Sequence, residues 1–248
     1  MTNLWSGRRL WAALLGVALL LGGCDGGRLI SQDQEVTMGR QAGDQFEAKY
    51  GLDKDPAVNA SVKAIAARVT GAAKPPDYPY DVRVLDSTEV NAVAFPGGRL
   101  YLFRGLIETF GRDPDPIAWV LAHEAAHVAR RHTTKRIEQQ LGYEAIISLV
   151  FNRGDAPQIA GAVASLMLLS YSRQEESEAD RYGLIYAHAA GYDATAAVRV
   201  LQKFQEIQGR NPSDVEVMFD THPGNTQRLD GVKNYLKSQG WQGRYYQY

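Results

Sequence analysis

The sequence predicts an α+β fold, helix-rich, in which one small sheet of about three strands interrupts the helices early. Three observations predict it. Helical spacing of apolar residues dominates from Asp115 onward, period-two alternation is confined to about residues 80–103, and a Pro96-Gly97-Gly98 turn separates two extended pieces. The 248 residues, 45% of them hydrophobic, are enough to bury the core of one large domain. The 27 Lys+Arg against 28 Asp+Glu give a formal charge of −1, which excludes the basic footprint of a dedicated nucleic-acid binder. Long Pro/Ser-rich tracts and single-sign runs are missing, which excludes wholesale disorder, and we find no internal repeat.

The N-terminus comes first. Arg8 and Arg9 precede an apolar run of twelve residues, Leu10 to Leu21, followed by Gly22-Gly23-Cys24. A positive region, a short apolar region and small residues read as a secretory signal peptide. Twelve helical residues cover about 18 Å, too short for a hydrocarbon core of ~30 Å. Leu21-Gly22-Gly23-Cys24 resembles a bacterial lipobox, in which the cysteine is lipidated and becomes the mature N-terminus. The alternative is a secreted protein with a chance cysteine. On the lipobox reading, residues 1–23 are a lipoprotein signal peptide, 24–32 a lipidated tether, and 33–248 the folded domain. Asp25 resembles an inner-membrane retention signal of some Gram-negative bacteria. Removing residues 1–23 takes away Arg8 and Arg9 and leaves 25 basic against 28 acidic residues, a net charge of −3.

Within the domain, residues 33–50 and 55–71 read as helices, the second carrying Val58, Val62, Ile65 and Val69 at helical spacing after Asp55-Pro56. Extended pieces follow at Tyr80–Asp86, Val90–Phe95 and Leu100–Phe103, expected to form an antiparallel sheet. Helices are then expected at 115–131, 137–151, 156–171, 173–190, 194–208 and 226–238. The apolar stretches Tyr143–Phe151 and Ile159–Tyr171 fall short of the ~20 residues a span needs, so they read as a buried hairpin or as a partly exposed apolar surface.

Ile117 to Ala129 reads IAWVLAHEAAHVA, with Asp115-Pro116 expected to cap the helix. Its only polar residues are His123, Glu124 and His127. A helix apolar on nearly every face is a buried one, and unpartnered imidazoles and carboxylates inside it would cost several kcal/mol. His123 and His127 stand one turn apart on one face, the spacing for a shared metal, and Glu124 lies about 100° around. A hydrolytic zinc site normally takes a third protein ligand. The candidate is Glu176 in Ser172–Asp180, where Glu176, Asp180 and Gly183 share a helix face. Asp180 could accept a hydrogen bond from a ligand histidine, and Gly183 lets another helix approach. His132 reads as a partner of the helix C-terminal dipole and His188 as structural.

Four motifs in this order resemble the HtpX-like and CAAX-prenyl-protease-like family of zinc metallopeptidases, the gluzincin type. They are His123-Glu124-x-x-His127, Glu176-x-x-Ala179-Asp180, Asn91-Ala92-x-Ala94-x-Pro96-Gly97-Gly98, and His222-Pro223 followed by Arg228. Coverage runs from about Asp33 to Gly240. The resemblance implies a zincin-like domain holding one Zn2+ through His123, His127 and Glu176, with Glu124 as the general base. Membrane-spanning relatives carry transmembrane helices that this chain lacks, so the resemblance is to the soluble lipoprotein branch acting on envelope proteins. His222 is a candidate oxyanion donor or a gating fourth ligand, unless it is an ordinary loop histidine. Arg228 either orders that loop or pairs with Asp180. Asn91, Ala92, Val93 and Ala94, on an exposed edge strand, could take an extended substrate as an added strand.

Three functions follow as expectations. The first is a membrane-anchored, periplasm-facing zinc endopeptidase for extended or misfolded envelope proteins. The second is a holdase-like or assembly-factor-like module using the same groove with latent proteolysis. The third is a structural zinc closed by a fourth ligand. Nucleic acid is not expected as a partner.

Overall fold

A computed structural model describes residues 29–74, 76–140, 170–210, 222 and 225–248. Two expected features fall outside these residues: the leader with Cys24, and nearly all of the apolar stretch spanning Tyr143–Tyr171. No helix among the described residues is long and apolar enough to cross a membrane.

Helix α1 spans Gln32–Tyr50 and starts at a reciprocal cap, Gln34 N donating to Ser31 Oγ and Ser31 N to Gln34 Oε1. Helix α2, Pro56–Ala72, starts with Asp55 accepting from the amides of Ala57 and Val58. The strands are β1 (Asp81–Leu85), β2 (Ala92–Ala94) and β3 (Arg99–Phe103). The remaining named helices are α3 (Arg104–Phe110), α4 (Pro114–Ala129), α5 (Arg173–Ala189), α6 (Ala196–Arg210) and α7 (Asn225–Gln239). Residues 132–140 are also helical.

The expected sheet is present, but it is mixed rather than antiparallel. Its order is β1-β3-β2, with β2 antiparallel to β3 and β1 parallel to it. The reason is topological. After β1 the chain passes over the end of β3, descends along β2, turns through Pro96–Gly98 and rises in the gap between the first two strands. The linker is seated on what it crosses: Phe103 N donates to Asn91 O and Gly105 N to Ser87 O. A Cβ at Gly105 would collide with the carbonyl of Thr88, so the first turn of α3 carries a residue that lets the linker through. The short helix α3, two turns without a side-chain cap, is the element the sequence reading did not anticipate.

The period-two alternation sorts the strands onto two faces. Val82, Val84, Ala92, Ala94, Leu100 and Leu102 join the large core with α2 and α4, whereas Leu85, Val93, Tyr101 and Phe103 face the smaller cluster built on Met38, Ala42 and Phe46 of α1. All five residues of β3 are buried. Helix α4 lies deep in this arrangement, with Pro116 to Ala129 buried without exception. Its cap is Asp113 with Pro114 in the first turn, two residues before the expected Asp115-Pro116. Both Asp-Pro pairs satisfy the local rule. Asp115 instead accepts from Asp193 N at 3.2 Å and pairs with Arg244 at 2.7 Å, which only the tertiary fold supplies.

Candidate active site

The site is made where α4 and α5 pack together. Their close approach depends on Gly183, where a Cβ would stand 3.2 Å from both Cα and N of His123. Helix α4 presents His123, Glu124 and His127; α5 presents Glu176 and Asp180. His222 enters from the segment before α7, and Arg228 comes from α7 itself. All seven side chains are buried, and Glu176 is 0% exposed.

Four donor atoms converge. His123 Nε2 lies 3.1 Å from His127 Nε2, 3.4 Å from His222 Nδ1 and 3.6 Å from Glu176 Oε2. Glu176 Oε1 lies 3.4 Å from His127 Nε2 and 2.8 Å from His222 Nδ1. Tetrahedral zinc with ligand bonds of about 2.1 Å separates its ligands by about 3.4 Å. The observed separations therefore bracket the edge of such a tetrahedron, and His123, His127, Glu176 and His222 form a group able to hold a metal ion. The donor set, imidazole nitrogens plus one carboxylate, suits zinc.

The charges around this group are arranged by α5 and α7. Arg228 places Nε 2.8 Å from Asp180 Oδ2, one terminal nitrogen 2.6 Å from Asp180 Oδ1, and the other 2.6 Å from Glu176 Oε2. Arg228 thus pairs with Asp180, one of the two partners the sequence offered, and with Glu176 as well. Asp180 Oδ1 in turn stands 3.1 Å from His123 Nδ1, placing a carboxylate on the far side of that ring from the donor cluster. Burial opposes ionisation of Glu176, but Arg228 and His222 outweigh it and hold the carboxyl well below its usual range. Burial likewise holds His127 well below the usual imidazole value, keeping the ring in the neutral form that ligates metals. Glu124 goes the other way. Burial pushes its carboxyl up, against the pull of His222 and His123. Among the described residues Glu124 Oε2 has no hydrogen-bond partner, and Oε1 lies 3.6 Å from His222 Nε2. A buried carboxylate oxygen without a partner, one residue from a donor histidine, fits a role toward a metal-bound water.

The strand proposed for substrate is an edge strand, as expected, and it packs against α4. Its residues Asn91, Ala92, Val93 and Ala94 are nonetheless buried rather than exposed. Among the described residues no strand pairs with its free edge.

Two histidines have different surroundings from one another. His188 stacks on Trp241 at 3.9 Å, away from the cluster. His132 does not serve the end of α4, which is closed by the amide of Arg130 bonding to Ala126 O and Val128 O. It is buried beside the cluster, Nδ1 3.0 Å from His127 Nδ1 and Nε2 3.1 Å from Glu178 Oε2. Sequence reading missed this contact for a geometric reason. Five residues along a continuous helix place two side chains about 140° apart. The chain breaks that helix at Arg131, whose φ of 59° is left-handed, and so brings His132 round to His127. Tyr171 was also missed; its ring stacks on His127 at 3.9 Å, and its hydroxyl meets Thr133 Oγ1 at 2.8 Å.

Comparison with known proteins supplies the family. The model of peptidase family M48 matches residues 56–236, most of the chain. The chain belongs to peptidase family M48. The M48 match contains all of His123, Glu124, His127, Glu176, Asp180, His222 and Arg228, so the cluster lies inside the family's own region. The chain is 29% identical to a beta-barrel assembly-enhancing protease of Yersinia pestis over 224 residues, covering 86% of this chain and 46% of that relative. It is 33% identical to the mitochondrial metalloendopeptidase OMA1 of Arabidopsis thaliana over 150 residues, 60% of this chain and 30% of the relative. Against the OMA1 of Schizosaccharomyces pombe it is 26% identical over 215 residues, 84% of this chain and 62% of the relative. This M48 chain thus spans less than two thirds of the length of each of these relatives.

Proposed function

We propose that this chain is a zinc-dependent endopeptidase acting on extended or misassembled proteins of the bacterial cell envelope, in a quality-control role. The observation that carries the reading is the convergence of three imidazoles and one carboxylate beside a buried glutamate, one oxygen of which has no partner among the described residues. Relatives named as a beta-barrel assembly-enhancing protease and as metalloendopeptidases support the reaction class and the envelope setting. The leader sequence supports a tether: lipid on Cys24 would hold the domain, from about residue 33, at a membrane facing the periplasm, with Asp25 favouring the inner one.

His123, His127 and Glu176 would hold one zinc ion, which when bound activates a water and polarises a scissile carbonyl. Glu124 is the general base: its Oε2, which no described residue engages, accepts the proton of the attacking water and afterwards delivers it to the leaving amine. Asp180 orients His123 through Nδ1, and Arg228 holds Asp180 and Glu176 in register. His222 Nδ1, 2.8 Å from Glu176, stands in the position of a fourth ligand, which supports a gating role over that of an oxyanion donor. Substrate is taken along Asn91–Ala94 by main-chain hydrogen bonding, which tolerates many sequences and requires an extended chain.

Glu124→Gln tests the reading. The variant should bind zinc as the wild type does and lose about 10²–10⁴-fold in cleavage of an unfolded envelope protein. Full activity in that variant refutes the assignment. The position of His222 also favours a second reading, a binding module whose proteolysis is latent. That reading wins if Glu124→Gln restores the complete wild-type phenotype in cells.

A further inference from the structure

We propose that His132 is a positioning residue for the metal ligand His127, and that it acts by linking that ligand to the carboxylate of Glu178. The inference rests on the zinc reading of the site and extends it to residues outside the donor cluster.

The two ligand histidines of α4 differ in what lies behind them. His123 has a carboxylate directly on its rear nitrogen, Asp180 Oδ1 at 3.1 Å. His127 has another imidazole instead, with the two Nδ1 atoms 3.0 Å apart, and the carboxylate comes one step later, His132 Nε2 lying 3.1 Å from Glu178 Oε2. The direction of the chain of hydrogen bonds follows from the donor cluster. If His127 gives Nε2 to a metal, its proton sits on Nδ1 and is donated to His132 Nδ1. His132 Nδ1 is then an acceptor, so its own proton sits on Nε2 and is donated to Glu178. Each atom in the series is used once and none conflicts.

The series is anchored at its far end. Glu178 accepts from Arg130 Nε at 2.8 Å through its other oxygen, and the Arg130 guanidinium lies over the Tyr182 ring at 4.7 Å. His132 is 1% exposed, so its contact with His127 is shielded from water, and its ring meets that of His127 edge to face at 4.9 Å. Tyr171 closes the opposite side by stacking on His127, and its ring carries the Arg136 guanidinium at 4.4 Å. One helix therefore supplies three carboxylates at alternate positions with three destinations. Glu176 goes to the metal, Asp180 to His123 directly, and Glu178 to His127 through His132. Partners behind metal-ligating histidines fix ring orientation and tautomer, and their loss typically weakens metal affinity 10–100-fold.

The test measures zinc affinity by competition with a chromophoric chelator, the visible spectrum of the Co2+-substituted protein, and the melting of the metal-free protein as a control for folding. His132→Phe keeps a ring in the space and removes both nitrogens. It should weaken zinc binding about 10–100-fold and shift the Co2+ spectrum, and His132→Gln, which can still accept from His127 Nδ1, should recover part of both. A folded His132→Phe with wild-type affinity and spectrum overturns the proposal. Should that variant not fold, Glu178→Met, which removes both acceptor oxygens, carries the test at the half-buried end of the series: weaker zinc binding supports the link, and unchanged binding overturns it. Failure of the wild-type protein itself to bind zinc would count against the parent reading instead.

Discussion

Arg228 is the counter-charge of the site, and its removal should show as a stability loss that depends on metal. Two buried carboxylates, Glu176 and Asp180, each meet Arg228 at 2.6 Å, and a third, Glu124, is buried on the neighbouring helix. Arg228→Met keeps most of the aliphatic volume and leaves Glu176 and Asp180 without their cation. Breaking a buried ion pair from one side costs about 3–5 kcal/mol, because the surviving charge stays buried. For a domain of this size each kcal/mol lowers Tm by about 2–4 °C, so the metal-free variant should melt about 6–20 °C below wild type. Zinc should narrow the gap, since a dication beside Glu176 replaces part of the missing positive charge. The assay is thermal unfolding followed by circular dichroism, with chelator and then with saturating zinc. Equal losses in both conditions would mean that the guanidinium contributes packing rather than charge. A loss under about 2 °C without metal would refute the argument altogether.

Three further outcomes are expected. Gly183→Ala should force α4 and α5 apart by a few tenths of an ångström, costing about 1–3 kcal/mol and lowering zinc affinity, since its Cβ meets the His123 backbone at 3.2 Å; unchanged melting and metal binding would show that the interface yields freely. His222→Ala should leave three protein ligands and an open position, so zinc stays bound and cleavage is retained or raised; a 10²–10³-fold fall in kcat would assign His222 to the oxyanion instead. The third concerns the C-terminal tail, which clasps the start of α4: Tyr245 Oη donates to Asp113 Oδ2 at 2.5 Å, and Arg244 lies 2.8 Å from Asp113 Oδ1. Burial opposes ionisation of Asp113, but Tyr245, the Asp115 amide and the arginines hold its carboxyl below the usual value. A lowered folded value gives stability that is present above the unfolded value and lost as pH falls through the folded one. Tyr245→Phe should therefore lower Tm by a few degrees at pH 7, and the gap should shrink as pH falls below the ordinary carboxylate value of about 3.9; a gap that does not shrink on acidification would remove the carboxylate from the account.

The sequence by itself determined the parts of the site carried on single elements. His123, Glu124 and His127 are one turn of one helix, and Glu176, Asp180 and Gly183 one face of another, so helical periodicity alone places each set. The strand faces are legible for the same reason, a period of two. What the tertiary structure decided concerns partners far apart in the chain. The parallel pairing of β1 with β3 depends on a linker crossing between them, which no local pattern encodes. The choice of Asp113 over Asp115 as the cap of α4 depends on the tail and Asp193 engaging Asp115. Arg228 could have served its own loop, and only the packing of α7 against α5 gives it to Asp180 and Glu176. His132 is the sharpest case. Spacing along a helix puts it away from His127, and a single left-handed residue, Arg131, turns it back. Periodicity fixes which side chains share a face of one element, while contacts between elements depend on breaks and crossings whose energy is settled only when the core closes.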